Sequence, residues 1–239
     1  MNFNKFCYKK VLIKLSGEVL QGKKDFGINI STLSRVAEEI KEISKLGIKI
    51  GIVVGGGNFF RGKKSKFTRI NRITGDYMGI LSTIINGLAL KDYLTEDFIK
   101  VKIMSSITVN NLCELYNLEK AKYFFDKKYI IIFVGGIGNP LFTTDSAACV
   151  RAIEMQADVL LKATKVDGVF SNDPFINNNA KFYDKLSYKE IIEKKLKIMD
   201  YTALILAKDH NLPIHVFNIN KNNLLKRIIM GEKKGTLIN

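Results

Sequence analysis

A chain of 239 residues, 46% hydrophobic and 26% charged, is long enough to bury the core of one α/β domain. Its three cysteines, Cys7, Cys113 and Cys149, form no CxxC pair, which argues against a disulfide framework and a zinc site and for a reducing compartment. The formal charge of +15 admits a nucleic-acid partner, yet only six of the 38 basic residues are Arg. Lys lacks the planar fork that reads phosphates and bases, so a solvated lysine surface is the simpler account and no nucleic acid is required.

Lys5, Lys9, Lys10 and Lys14 interrupt the first apolar residues, so no signal peptide is expected. The longest apolar run, Tyr129 to Val134, falls far short of the ~20 residues that cross a bilayer. A cytoplasmic protein without a membrane partner is expected.

Val11, Leu12, Ile13 and Leu15 predict a buried strand ending in the turn Ser16-Gly17. Leu33, Val36, Ala37, Ile40, Ile43 and Leu46 recur at helical spacing, with Ser31 or Ser34 as cap and Gly47 as stop. Residues 48–54 then predict a second strand running into Gly55-Gly56-Gly57, a strand-helix-strand unit that favours parallel pairing. A long helix is expected over 77–94, strands over 101–104 and 129–134, a helix over 144–156 and a strand over 159–162. Ser187 with Glu190 marks a capping box. Asp200 starts a helix that ends near Asn211, before Pro213. Residues 214–217 predict one more strand, and 235–238 an edge strand. Such alternation implies one domain over 1–239, α/β, with helices on both faces of a mainly parallel sheet and ligands at the carboxyl ends of its strands.

Two familiar phosphate motifs fail by one residue each. Gly57 to Lys64 resembles a P-loop but has Lys64 where the magnesium-holding Ser or Thr belongs, and Gly136 to Leu141 opens like a dinucleotide fingerprint but has Leu141 in place of the third glycine. What remains is three glycine-bearing strand ends, at Lys14-Leu15-Ser16-Gly17, at Gly55 to Asn58 and at Gly135 to Pro140. Their backbone N–H groups suit a polyphosphate. Lys14, a cation at the end of an apolar strand, suits a transferring phosphoryl group, for which positioning and charge stabilisation suffice.

Thr143-Thr144-Asp145-Ser146 precedes a helical run and either caps it or binds an acceptor phosphate. Asp145 then orients a lysine, partners magnesium, or merely caps. Thr164 to Phe170, followed by Asn172-Asp173-Pro174, reads as a strand end and turn suited to adenosine, or as an ordinary hairpin. Arg61 and Asp76 suit an acceptor phosphate and a sugar hydroxyl, or plain surface. His210 and His215, far from the glycine turns, read as structural.

These residues carry a resemblance over nearly the whole chain. Lys-Leu-Ser-Gly-Glu at 14–18, Val-Gly-Gly-Gly-Asn at 54–58, Gly-Asp-Tyr-Met-Gly at 75–79, Gly-Asn-Pro-Leu-Phe-Thr-Thr-Asp-Ser-Ala-Ala at 138–148, Lys-Ala-Thr-Lys-Val-Asp-Gly-Val at 162–169 and Val-Phe-Asn at 216–218 resemble the bacterial uridylate kinases of the amino-acid-kinase superfamily. The resemblance implies a three-layer αβα sandwich and phosphorylation of UMP to UDP by ATP with Mg2+, in pyrimidine nucleotide biosynthesis. It implies ATP on Lys14, Leu15, Ser16, Gly17, Gly57, Thr164, Phe170 and Asp173, with Arg61 reaching the phosphates. UMP is implied on Gly56, Asp76, Ile137, Gly138, Asn139, Pro140, Leu141, Phe142, Thr143 and Thr144. Lys14 and Lys165 are implied to stabilise the shared charge, Asp145 to orient a lysine, and no side chain is assigned to the metal.

The resemblance further implies a homohexamer built from dimers, and relatives regulated by GTP and UTP. Thr95, Lys102 and Tyr129 occupy the places tied to the GTP response, so weak GTP activation is expected. Ile137 stands where the family usually has threonine. The competing readings are a carboxylate or carbamate kinase of the same fold and a nucleic-acid-binding regulator.

Overall fold

The computed structural model describes residues 6–60, 69–95, 99–177 and 179–239. Lys10–Leu15 forms strand β1, and Gly17–Gln21 the short helix α1 that follows its turn. Helix α2 (Ile30–Lys45), strand β2 (Lys49–Val54) and helix α3 (Arg72–Leu94) come next. Strands β3 (Val101–Ser105) and β4 (Glu114–Leu115), helix α4 (Leu118–Asp126) and strand β5 (Ile130–Val134) complete the first half. The second half holds helix α5 (Thr144–Glu154), strands β6 (Val159–Thr164), β7 (Val169–Phe170), β8 (Phe182–Tyr183) and β9 (Lys185–Leu186), helices α6 (Tyr188–Glu193) and α7 (Tyr201–Asp209), strand β10 (Ile214–Asn218), helix α8 (Leu224–Ile229) and strand β11 (Thr236–Ile238).

Among the described residues one sheet runs β4-β3-β5-β2-β1-β6-β10-β11-β9, parallel except where β11 opposes β10. The expected edge strand is therefore interior, because β9 pairs outside β11. β1 is central, with β2 on one side and β6 on the other, so the strand order reverses there. That is where ligands bind in open α/β sheets.

Strands buried on both faces read as continuous apolar runs, and the two faces sort cleanly. Val11, Ile13 and Leu15 point with Ile52, Val54 and Leu161 toward α1, α2, α3 and α8. Leu12, Val53, Phe133 and Leu160 point toward α4, α5, α6 and α7. These two cores make the three layers, and their alternation fixes which strand side chains face α5.

Local chemistry places the helix starts. Asn29 caps α2 by accepting from Thr32 N at 3.0 Å, in place of the expected Ser31 or Ser34; the Ser31 hydroxyl instead donates to Asn29 Oδ1. Asn71 caps α3, whose first residue Arg72 lies five residues before the expected start, and Gln156, at φ 51°, stands two residues beyond the end of α5. The Ser187–Glu190 capping box forms as expected. Among the described residues, no helix is long and apolar enough to cross a membrane.

Candidate active site

Lys14 and Lys162 are register partners on adjacent parallel strands, β1 and β6. Both point to the α5 face, since each lies two residues from a leucine of that core, Leu12 and Leu160. Two ammonium groups side by side in a sheet interior repel, and the first turn of α5 supplies the remedy. Asp145 Oδ1 lies 2.8 Å from Lys14 Nζ and Oδ2 lies 2.7 Å from Lys162 Nζ. The Lys14 contact is an ion pair rather than an aligned hydrogen bond, whereas Lys162 donates to Asp145 and also to Ile198 O at 2.7 Å.

Burial pushes the Asp145 carboxyl up, but the charges of Lys14 and Lys162, with the Lys162 hydrogen bond, outweigh it and hold the group well below the usual carboxylate range. Burial, opposed by Asp145 and reinforced by Lys14, holds Lys162 below the usual lysine range. Cys149, one turn along α5, is driven up to about 12 by burial and by the charges of Asp145 and Asp200, so it is an inert thiol there.

The position of Asp145 is itself built. Thr143 Oγ1 caps α5, accepting from Asp145 N at 3.1 Å and Ser146 N at 3.4 Å. The Thr143 hydroxyl donates to Asp200, which also accepts from Ser146 Oγ at 2.9 Å and caps α7 through Ala203 N. One carboxylate thus ties two helix starts together beside the lysines.

The three glycine turns meet at this end of the sheet. A Cβ on Gly17 would stand 2.6 Å from Gly57 N, and one on Gly55 would stand 3.0 Å from Gly17 N and 3.4 Å from Thr144 Oγ1. The first turn is thus in contact with the second, and the second with the start of α5. Two side chains of α3 clamp them from below. Asn86 donates to Gly55 O at 2.7 Å, and Thr83 Oγ1 accepts from Gly135 N at 2.7 Å. Gly56 packs on α3 itself, its missing Cβ leaving room for Gly79 O.

Beyond β5 the chain turns through Gly135, Gly136 and Gly138, all at positive φ, and through Leu141 at φ 73°, an uncommon conformation for leucine. Leu141 N donates to Asp76 Oδ2 at 2.9 Å, and Arg72 Nε lies 2.9 and 2.8 Å from the two Asp76 oxygens. Leu141 and Phe142 are exposed. Asp76 is therefore joined to the loop 137–144 through Leu141 N.

The remaining candidates are more scattered. The Thr164 hydroxyl bonds Val166 O and Phe217 O. Phe170 rests edge-on against Phe182, and Asp173 closes a turn on Phe175 N, so both make their contacts within the β7–β8 segment. Arg61 lies outside the described residues. Lys165, expected to stabilise the shared charge with Lys14, is exposed and donates to Gly22 O at 2.9 Å, while the second lysine beside Asp145 is Lys162. Lys162 escaped sequence reasoning although it carries the signal that singled out Lys14, a lysine inside an apolar strand.

A site with two lysines on one carboxylate carries a net positive charge in a nearly dry setting, faced by glycine turns. Such a site is built for anionic oxygens. The sequence matches the amino acid kinase family over residues 9–218. A uridylate kinase of Blochmanniella pennsylvanica is 53% identical over 231 residues, 97% of this chain and 96% of that one. A crystal structure of UMP kinase from Bacillus anthracis superposes with a TM-score of 0.93 at 45% identity, covering 97% of this chain and 96% of the other. A UMP kinase from Ureaplasma parvum gives a TM-score of 0.90 at 36% identity, covering 97% and 98%.

Proposed function

This chain belongs to the amino acid kinase family, and we propose that within it the chain is a uridylate kinase, transferring the γ-phosphoryl group of ATP to the phosphate of UMP. The observation that carries this reading is the Lys14–Asp145–Lys162 triad at the point where the strand order reverses. An oxygen of the acceptor phosphate attacks the γ-phosphorus, the bond to the bridging oxygen breaks, and ADP leaves. The acceptor is already an anion near neutral pH, its second pKa being about 6, so no general base is needed. Charge stabilisation is the task, and the two ammonium groups, both largely buried, supply it where little water competes.

In this reading the donor lies along Lys14 to Gly17, Gly57, Thr164, Phe170 and Asp173, with Arg61, and the acceptor along Gly56, Asp76 and 137–144. Thr143 is held by Asp200 and the backbone of α5, so it serves the acceptor by fixing the loop end. Both Asp145 oxygens face lysines, and no group of three His, Cys, Asp or Glu side chains among the described residues is placed to hold an ion. With Asp145 engaged by Lys14 and Lys162, a Mg2+ ion would be brought by the triphosphate, whose charge it would help to neutralise.

The same reading places the enzyme in the cytoplasm, in pyrimidine nucleotide biosynthesis, and in a homohexamer built from dimers. Ile73, Tyr77, Leu81 and Ile85, four residues apart on α3, form an exposed apolar stripe that supports self-association. Lys102 is paired with Glu114 at 2.5 Å and lies over the Phe124 ring, which supports a weak response to GTP. The test is ADP release with ATP and magnesium against UMP, CMP, N-acetylglutamate and carbamate. Selective turnover of UMP is expected; turnover of an acid would move the chain to a sibling kinase, and silence with every acceptor in folded protein would favour a binding role.

A further inference from the structure

Arg151 lies on the buried side of α5, 6% exposed, with its guanidinium carbon 3.4 Å from the centre of the Tyr116 ring and 5.8 Å from that of Phe133. Nη1 donates to Glu154 Oε2 at 2.6 Å, and Tyr116 donates to the same oxygen at 2.7 Å. Nη2 donates to Ser106 Oγ at 3.1 Å, and Ser106 Oγ donates in turn to Gly136 O at 2.7 Å. A buried, half-satisfied cation is a poor stabiliser compared with an apolar side chain of the same volume, and here Nε has no hydrogen-bond partner among the described residues. The stability of the fold does not explain it.

The hydrogen-bond inventory does. A serine hydroxyl has one proton and can turn it either way, whereas a guanidinium can only donate. Arg151 therefore occupies the lone pairs of Ser106 and leaves its proton for Gly136 O. That carbonyl belongs to the turn after β5, whose floor is the Ser106 backbone: a Cβ on Gly138 would stand 2.9 Å from Ser106 O, and one on Gly135 3.0 Å from Ser106 N. On its other side Gly136 faces open space, since a Cβ there would meet nothing within 4 Å. We propose that Arg151, acting through Ser106, is a positioning residue that sets the backbone of the 135–138 turn for the acceptor nucleotide.

The inference rests on the reading that 137–144 holds the acceptor, so its test has one measurement that needs turnover and one that does not. Arg151→Met, Ser106→Ala and the double variant are compared with wild type in initial rates and in amide hydrogen exchange of the segments 135–142 and 52–59. Each single variant is expected to raise the UMP KM about tenfold with the ATP KM within about twofold, and to speed exchange in 135–142 but not in 52–59. The double variant should match the worse single one, because the two side chains act in series. Equal rises in both KM values, multiplying effects, or a lower Tm with unchanged KM and exchange would overturn the proposal. If wild type fails to turn over UMP, the acceptor reading falls, and exchange in 135–142 alone decides whether the relay holds the turn. Ser106→Ala removes one oxygen and keeps the test alive should Arg151→Met not fold.

Discussion

Asn86 of α3 and Asn58 of the second glycine turn exchange side-chain hydrogen bonds in both directions, at 2.7 and 2.9 Å, with both residues buried. Each amide spends its second proton on a backbone carbonyl, Asn86 on Gly55 and Asn58 on Gly27. Asn86→Ala would leave the Gly55 carbonyl and part of the Asn58 amide unpaired in the interior. A loss of about 3 kcal/mol is expected, at roughly 1–3 kcal/mol for each orphaned group. It should appear as a lower urea midpoint at unchanged slope.

Lys162→Met and Lys165→Met separate the two lysines of the sequence motif. Lys14 and Asp145 alone form a neutral pair, and Lys162 adds the net charge that serves an anionic substrate at a cost in burial. Lys162→Met should lower kcat by about 100-fold or more while leaving Tm unchanged or raised. Lys165→Met, at an exposed position whose contact is Gly22 O, should stay within about threefold. Steady-state rates and thermal melts of both variants check this, and equal losses in the two would return Lys165 to the charge-stabilising role.

Lys14 was legible in the sequence because a cation in an apolar strand has no structural reason to be there. Lys162 had the same local signal, but its meaning comes from the β1–β6 register that sets it opposite Lys14, a pairing across about 150 residues of chain that periodicity does not report. The long helices and central strands were legible from their apolar spacing. The five- and six-residue helices α1 and α8 were not, being too short to show a period, and α3 was expected late because Arg72 to Asp76 carry Thr74 and Gly75 rather than an apolar face. The clamp of Thr83 and Asn86 was hidden for another reason: polar residues on a helix read as its solvated side until the sheet is in place.

Gly17→Ala tests the contact between the first two turns. The new Cβ would come within 2.6 Å of Gly57 N and 2.8 Å of Asn58 N, both backbone atoms that cannot turn aside. Overpacking of this kind costs about 1–3 kcal/mol. The displacement falls on turns assigned to ATP, so calorimetric titration should show weaker ATP binding with UMP binding less affected.

Leu81→Glu tests the apolar stripe of α3. Leu81 is 52% exposed at the middle of Ile73, Tyr77 and Ile85, and a charge there would be desolvated in any interface that covers the stripe. Wild-type chain should sediment as a multiple of 27.0 kDa, and the variant as a smaller species with an unchanged circular dichroism spectrum. A wild-type monomer would sink the assembly reading.

His215 makes stability depend on pH. Its Nε2–H donates to Lys234 O at 2.7 Å, and Nδ1 is buried with no hydrogen-bond partner among the described residues, so protonating Nδ1 would bury a charge and a donor with no acceptor of its own. Burial accordingly lowers its pKa from the usual 6.5, against the smaller opposing effect of the Lys234 bond. Between the lowered folded value and 6.5 the unfolded chain binds more protons than the folded one, so stability rises with pH there and falls as the pH drops below about 6.5. One proton sets a ceiling of about 1.4 kcal/mol per pH unit on the slope. His215→Gln, which keeps a donor for Lys234 O, should flatten the Tm profile between about pH 7 and about pH 5, where histidine titrates. An unchanged slope in the variant would assign the acid sensitivity to the carboxylates instead.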